Sequence, residues 1–186
     1  MEVYEQAFSR DEMWGDLRDA RFDSCTFRGV DWSGKDLRGA RFEDCVFHEC
    51  DWSNARMLGV GLQDVRFEKC KMVGVDFAAC NTLGWKVQVV DCRLDSANFE
   101  GMDVRGMTWK GGRAQGADFT GAQADGVDFD GVDLTDAVFE RTRLEGANFR
   151  TAFGWRIRPE ENRIRGAKFR RDDLAGLVAG WNIDLE

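Results

Sequence analysis

Large apolar residues recur at every fifth position of this chain. From Leu17 the register runs through Phe22, Phe27, Trp32, Leu37, Phe42, Phe47, Trp52, Met57, Leu62, Phe67 and Met72 to Phe77. A second run holds Leu94, Phe99, Val104, Trp109, Ala114, Phe119, Ala124, Phe129, Leu134, Phe139, Leu144 and Phe149. An amphipathic helix needs a period near 3.6 and a half-buried strand a period of 2. A period of five fits neither. It fits a chain that turns a corner after each short extended piece.

The residue two before each centre is small, as at Ala20, Cys25, Val30, Ala40, Cys45, Cys50, Cys70, Cys80, Cys92, Ala97 and Ala117. All 6 cysteines take this position. One large and one small inward residue per step fill a narrow tube without voids. The residue two after the centre is often glycine, as at Gly29, Gly34 and Gly39, which suits a corner. Stretches such as GADFTGA, GVDFDGVDL and EGANFRTA resemble the pentapeptide-repeat family, and the resemblance runs over roughly Gly15 to Phe149. It implies an all-β fold, a right-handed quadrilateral parallel β-helix with four pentapeptides per coil. About 27 steps make nearly seven coils and a tube roughly 32 Å long at about 4.8 Å per coil.

The pattern divides the chain. Residues 1–14 hold Tyr4 and Phe8 outside any repeat register and are expected to cap the first coil. Residues 15–82 form a first stack and 89–153 a second. At 83–88 between them the register slips by two residues, with Gly84 and Trp85 as the surplus. After Phe149 the pattern ends. Pro159 marks an irregular linker, Gly154–Arg165, and 154–186 as a whole carries a short C-terminal α-helix. Leu174, Leu177, Val178 and Trp181 lie at i, i+3, i+4 and i+7, one apolar face, with Asp172 or Asp173 expected as N-cap.

The ending, GWRIRPEENRIRGAKF followed by LAGLVAGWNIDLE, resembles the Qnr-type branch of the family, which includes quinolone-resistance proteins and the immunity proteins of microcin and albicidin producers. The Qnr proteins proper carry projecting loops for which neither run has room, so the chain leans toward the loop-free immunity-type members. The resemblance implies a homodimer joined end to end through Leu174, Leu177, Val178, Trp181, Ile183 and Leu185. It implies as partner a bacterial type II topoisomerase, DNA gyrase or topoisomerase IV. The contrasting expectation is a structural scaffold protein with another protein partner.

Catalysis finds no support in the residues. The single histidine, His48, follows a centre and points outward. No phosphate-binding glycine loop, nucleophile elbow or HExxH occurs. The cysteines lack the spacing of a zinc site, so neither metal nor cofactor is expected, and inward thiols should be inert. A serine at Cys70 is expected to bury a hydroxyl without a partner. Trp32 and Trp52, one coil apart, should stack.

The net charge of −8 argues against direct nucleic-acid binding. No apolar run suggests a membrane span and the N-terminus does not read as a secretory signal, so a cytoplasmic location with reduced thiols is expected. From Ala114 to Glu140 there are seven acids, Asp118, Asp125, Asp128, Asp130, Asp133, Asp136 and Glu140, and no base. Residues 1–150 hold 28 acidic and 19 basic residues, so the negative charge lies on the rod. Duplex DNA carries one charge per about 1.7 Å of axis. The seven acids are therefore the candidate gyrase-facing surface of a DNA-mimicking rod at about half that density.

Overall fold

Every centre in both runs is buried, and so is every small residue named above. The two positions after a centre explain the corners. The second of them adopts a left-handed backbone, at glycines such as Gly39 (φ 72°) and also at Asp44, Glu49, Asn54, Lys69 and Arg141. Where the residue before the centre is Asp or Asn, its Oδ1 accepts the backbone N–H two residues on. This occurs at Asp31 to Ser33, Asp51 to Ser53, Asn98 to Glu100, Asp118 to Thr120 and Asp133 to Thr135, at 2.8–3.0 Å. The acid before the centre thus closes the turn.

The computed structural model describes residues 1–10 and 15–181. It is an all-parallel, right-handed quadrilateral β-helix with one short C-terminal helix. The first face is a four-stranded sheet of β1 (Glu2–Tyr4), β3 (Arg21–Asp23), β5 (Arg41–Glu43) and β7 (Gly61–Gln63). The second face is a seven-stranded sheet: β2 (Ala7–Phe8), β4 (Thr26–Arg28), β6 (Val46–His48), β8 (Val65–Glu68), β9 (Val87–Val90), β10 (Met107–Lys110) and β11 (Phe129–Asp130). Single bridges carry the other two faces, Asp31 to Asp51 to Lys71 to Arg93 to Arg113 to Asp133 to Phe153 on the third, and Asp76 to Asn98 to Asp118 to Val138 on the fourth. Inside, aromatic rings stack coil upon coil: Phe27 on Phe47 at 4.6 Å, Phe99 on Phe119 at 5.0 Å, Phe129 on Phe149 at 4.9 Å. Trp32 meets Trp52 at 5.2 Å and 60°.

Both ends differ from the sequence expectation. Val3 pairs with Phe22 and Phe8 with Phe27, five residues apart and in register, so the N-terminal segment is a partial coil. Its offset of 19 residues to the next coil, against 20 in the coils that follow up to Asn81, hides it from a strict count. At the other end the pattern does not stop at Phe149. Arg143 bridges Arg163 and Asn148 bridges Lys168, which sets Ile164 and Phe169 over Leu144 and Phe149. The irregular Gly154–Asn162 stretch carries a last coil across the third and fourth faces, with its own Trp155 and Ile157 buried. Among the described residues the second face therefore has nine layers, Phe8 to Phe169, and spans about 38 Å at roughly 4.8 Å per layer.

Between Asn81, which still pairs with Gly61 at an offset of 20, and Val87, which pairs with Val65 at 22, two residues are inserted. Thr82 and Leu83 are exposed there, and Trp85 covers the core with its ring against Phe77 at 5.9 Å. The C-terminal helix α1 is only Ala175–Val178, flanked by tighter turns from Arg171 to Trp181. Neither Asp172 nor Asp173 caps it. They fall inside the preceding turn, whose flanking residue is Arg170, and α1 begins after Leu174 without a side-chain cap.

All six thiols are buried and free. Burial pushes Cys45 up to about 12. Hydrogen bonding to its neighbours Cys50 and Cys92, together with burial, raises Cys70. The thiolate is the reactive form. Because all six sulfurs are buried, a thiol reagent at pH 8 should react at least about a hundredfold more slowly than in denaturant, and fast labelling of two thiols in the folded protein would contradict the inward assignment. The expectation for serine is corrected. Cys70 Sγ lies 3.3 Å from the Phe47 carbonyl and 3.4 Å from that of Glu68. Thr142, at an equivalent inward position, donates its hydroxyl to the matching carbonyls of Phe119 (2.8 Å) and Glu140 (3.2 Å). A serine at Cys70 finds the same acceptors, so Cys70→Ser should cost less than about 1 kcal/mol in a denaturant melt.

Candidate functional site: an acidic face on the rod

Twenty residues make one coil, so a stretch of 27 residues must pass round the rod. The seven acids of the base-free stretch accordingly spread over its circumference. Asp125 lies on the first face, Asp128 and Asp130 on the second, Asp133 on the third, Asp136 at the corner between third and fourth, and Asp118 and Glu140 on the fourth.

A stretch free of bases in sequence is also not free of them in space. Arg143, from the coil above, pairs with Asp125 at 2.9 Å. Asp133 shares its column with Arg113 and accepts from Gln115 at 2.6 Å and from the Thr135 hydroxyl at 2.7 Å. Burial works against ionisation of Asp133, but the Thr135 and Gln115 hydrogen bonds outweigh it and hold the carboxyl below its usual range. Asp128 accepts from Asn148 at 2.9 Å and Asp130 from Thr151 at 3.0 Å. These four carboxylates are committed to neighbours on their own rod.

The fourth face is different. Asp76, Asn98, Asp118 and Val138 succeed one another up one column. Beside it, backbone bonds from Gly101 to the Thr120 carbonyl and from Gly121 to that of Glu140 set Glu100, Thr120 and Glu140 in a parallel column. Between Arg56 below and Arg141 above, every charged side chain on this face is acidic: Asp76, Glu100, Asp118 and Glu140. Asp76, Glu100 and Glu140 are exposed and Asp118 is half-buried. None of the four is in a salt bridge among the described residues, although Asp76 accepts from the Asn98 side chain at 2.8 Å and Asp118 from the Thr120 amide at 2.8 Å. Asp76 and Glu100 lie outside the run that the sequence singles out. A count in steps of twenty, allowing for the two inserted residues, finds them.

His48 points outward and pairs its Nδ1 with Glu68 at 2.8 Å. A cleft of about 220 Å³ separates the upper end of the fourth face from the C-terminal turns, lined by Val138, Glu140, Arg156, Arg158 and Glu161 among others. At the C-terminal end Leu174 and Trp181 are exposed, while Leu177 packs back on the core and Val178 is half-buried. Trp181 donates its indole N–H to Glu160 at 3.0 Å. Ile183 and Leu185 lie outside the described residues. Among the described residues no cluster of histidine, cysteine and carboxylate side chains has the arrangement of a metal site, and no helix is long and apolar enough to cross a membrane.

The fold is shared with solved structures. Two trypsin-treated variants of QnrB1, a plasmid-mediated fluoroquinolone resistance protein, superpose with TM-scores of 0.63 and 0.64. They share 18% and 17% identity, over 100% of this chain and 100% and 98% of theirs. HetL, a pentapeptide-repeat protein involved in heterocyst differentiation regulation in the cyanobacterium Nostoc sp. strain PCC 7120, matches at a TM-score of 0.42 and 16% identity, covering 90% of this chain and 82% of its own. No curated protein sequence matches. The family model for a pentapeptide repeat region matches residues 40–119 and 60–149, and that for eight pentapeptide repeats matches residues 16–51. Together with the buried five-residue register, these matches place the chain in the pentapeptide-repeat family.

Proposed function

We propose that this protein is a non-catalytic rod that binds a bacterial type II topoisomerase, DNA gyrase or topoisomerase IV, where duplex DNA binds, and shields it from a poison of the cleaved complex. The observation that carries the proposal is the fourth face, where four carboxylates outside any salt bridge follow one another over successive coils with no base between them. Such a row complements a basic DNA-binding surface and steers the approach to it. The overall likeness to QnrB1, a fluoroquinolone resistance protein, supports the same reading. A supercoiling assay with purified gyrase tests it. Added protein should restore supercoiling in the presence of a fluoroquinolone or a peptide poison, and less so as salt rises, because exposed charges are screened over about 8 Å at 0.15 M. No restoration with any poison would leave the scaffold alternative.

The proposal includes a twofold homodimer through the C-terminal end, since Leu174 and Trp181 leave apolar surface uncovered there. Truncation after Phe153 would also strip Ile164 and Phe169 from the last coil and bare a sheet edge, so point changes are cleaner. Leu174→Asp with Trp181→Asp should turn a dimer into a folded monomer in sedimentation at micromolar concentration. A wild-type monomer under those conditions would refute the dimer.

A further inference from the structure

The negative net charge averages over a distribution that the fold separates. Five bases, Arg163, Arg165, Lys168, Arg170 and Arg171, occur within nine residues that contain no acid. The last coil folds them onto one corner of the rod. Arg163 and Arg165 flank Ile164 on the first face, and Lys168 and Arg170 flank Phe169 on the second, with Arg171 at the next position. All five are exposed. Only Arg170 has carboxylate neighbours, Asp172 at 3.8 Å and Asp173 at 3.9 Å, and the other four make no ion pair among the described residues. In the coil below, Arg150 lies beside Asn148, the residue under Lys168, while Arg143, under Arg163, is already paired with Asp125 and Glu145 stands under Arg165, so the positive area belongs to the last coil itself.

The composition of this corner selects the partner. A protein interface is anchored by aromatic and aliphatic side chains that become fully desolvated. Between these bases lie Gly166, Ala167, Asn148, Thr151 and the half-buried Ile164 and Phe169, which pack inward on the core, while the exposed apolar residues Leu174 and Trp181 belong to the C-terminal turns beyond. What the corner offers outward is several charges outside any ion pair at a regular pitch, its apolar side chains, Ile164 and Phe169, being turned to the core. That is the chemistry of phosphate-backbone contact.

We infer that the last coil carries a phosphate-contacting corner that binds the backbone of duplex DNA without sequence preference. This inference stands apart from the topoisomerase reading, because its test contains no enzyme. A fluorescein-labelled duplex of roughly 20 base pairs is titrated with the full-length protein from about 20 to about 200 mM KCl and anisotropy is read. Five phosphate contacts predict a slope of log K against log salt near −4.5, since each contributes about −0.9. Arg163→Gln, Arg165→Gln and Lys168→Gln together should flatten the slope to about −2 and weaken binding at least about tenfold at low salt. Arg28→Gln, Arg41→Gln and Arg56→Gln, an equal change of charge elsewhere, should leave both within about twofold. Lys168→Glu alone, an exposed single change, should reproduce part of the loss if the triple variant misfolds.

Absence of DNA binding by the wild type at the lowest salt would overturn the inference, and so would equal loss in both triple variants. Loss of binding to labelled poly-glutamate by the first variant, with DNA binding untouched, would also overturn it and assign the corner to an acidic protein.

Discussion

Replacing Gly112 by alanine should strongly destabilise the middle of the rod. Gly111 and Gly112 are consecutive left-handed residues, with φ of 64° and 80°. Gly112 occupies the small inward position directly above Cys92, whose carbonyl accepts the N–H of Arg113 at 2.9 Å. A Cβ at Gly112 would overlap the backbone carbonyl and amide of Cys92, and backbone has nowhere to move in a stacked coil. The conformational penalty is about 1–3 kcal/mol and the overpacking about 1–3 kcal/mol more. A combined loss of about 3 kcal/mol lowers the melting temperature by roughly 10 °C in a chain of this size. Gly126 is the control. It has the same left-handed backbone, φ 71°, but nothing stands within 4 Å of its added Cβ. Gly126→Ala should cost only the conformational part, about 1–2 kcal/mol. Because each coil of a solenoid is stabilised by its neighbours alone, the Gly112 variant should also melt over a broader range, or in two steps, as the stacks on either side uncouple. Equal losses in the two variants would show that the left-handed backbone matters and the contact with Cys92 does not.

What the sequence discloses is what the period of five controls. The large centres and the small inward residues are legible because each fills one site in a repeating tube, and the site recurs with the chain's own spacing. The ends are less legible because the spacing changes there while the packing does not. Val3 and Phe8 are one residue short of a full coil from Phe22 and Phe27, and Pro159 interrupts the count before Ile164 and Phe169 resume it. The serine expectation failed for another reason. Nothing in a sequence shows that two carbonyls aim at the inward thiol, and Thr142 reveals it only once its partners are seen.

The charged surface is the least legible part. Along the chain, Asp118 to Glu140 form a run. Across the coils, the neighbours of each acid are twenty residues away, and those neighbours include Arg113 and Arg143. Proximity in sequence groups acids that point in four directions. Proximity in space groups Asp76 and Glu100 with Asp118 and Glu140.

That regrouping changes the experiment that probes the mechanism. Substituting Asp125, Asp130 and Asp136 would alter three different sides of the rod, one of them a carboxylate already paired with Arg143. The informative variant is Asp76→Asn, Glu100→Gln, Asp118→Asn and Glu140→Gln, which empties one face of charge. The fold should tolerate it. Asn98 already occupies the rung between Asp76 and Asp118, its Oδ1 accepting the Glu100 amide as Asp118 accepts that of Thr120. The control, Asp23→Asn, Asp44→Asn, Asp91→Asn and Asp130→Asn, makes the same change of net charge on the first and second faces. If the fourth face enters a basic saddle, each exposed carboxylate contributes about 0.2–1 kcal/mol. Four of them together give about 1–4 kcal/mol, or roughly fivefold and upward in affinity. The protein concentration that restores half of supercoiling at a fixed dose of poison should rise at least about fivefold for the fourth-face variant. For the control it should stay within about threefold, the residue of long-range attraction that salt screens. The first variant should also lose most of the salt dependence of protection, and the control should keep it. Equal shifts in the two variants would mean that net charge, not this face, draws the rod to the enzyme. No shift in either would remove electrostatic mimicry from the mechanism and leave protection to the shape of the rod and to the contacts at its ends.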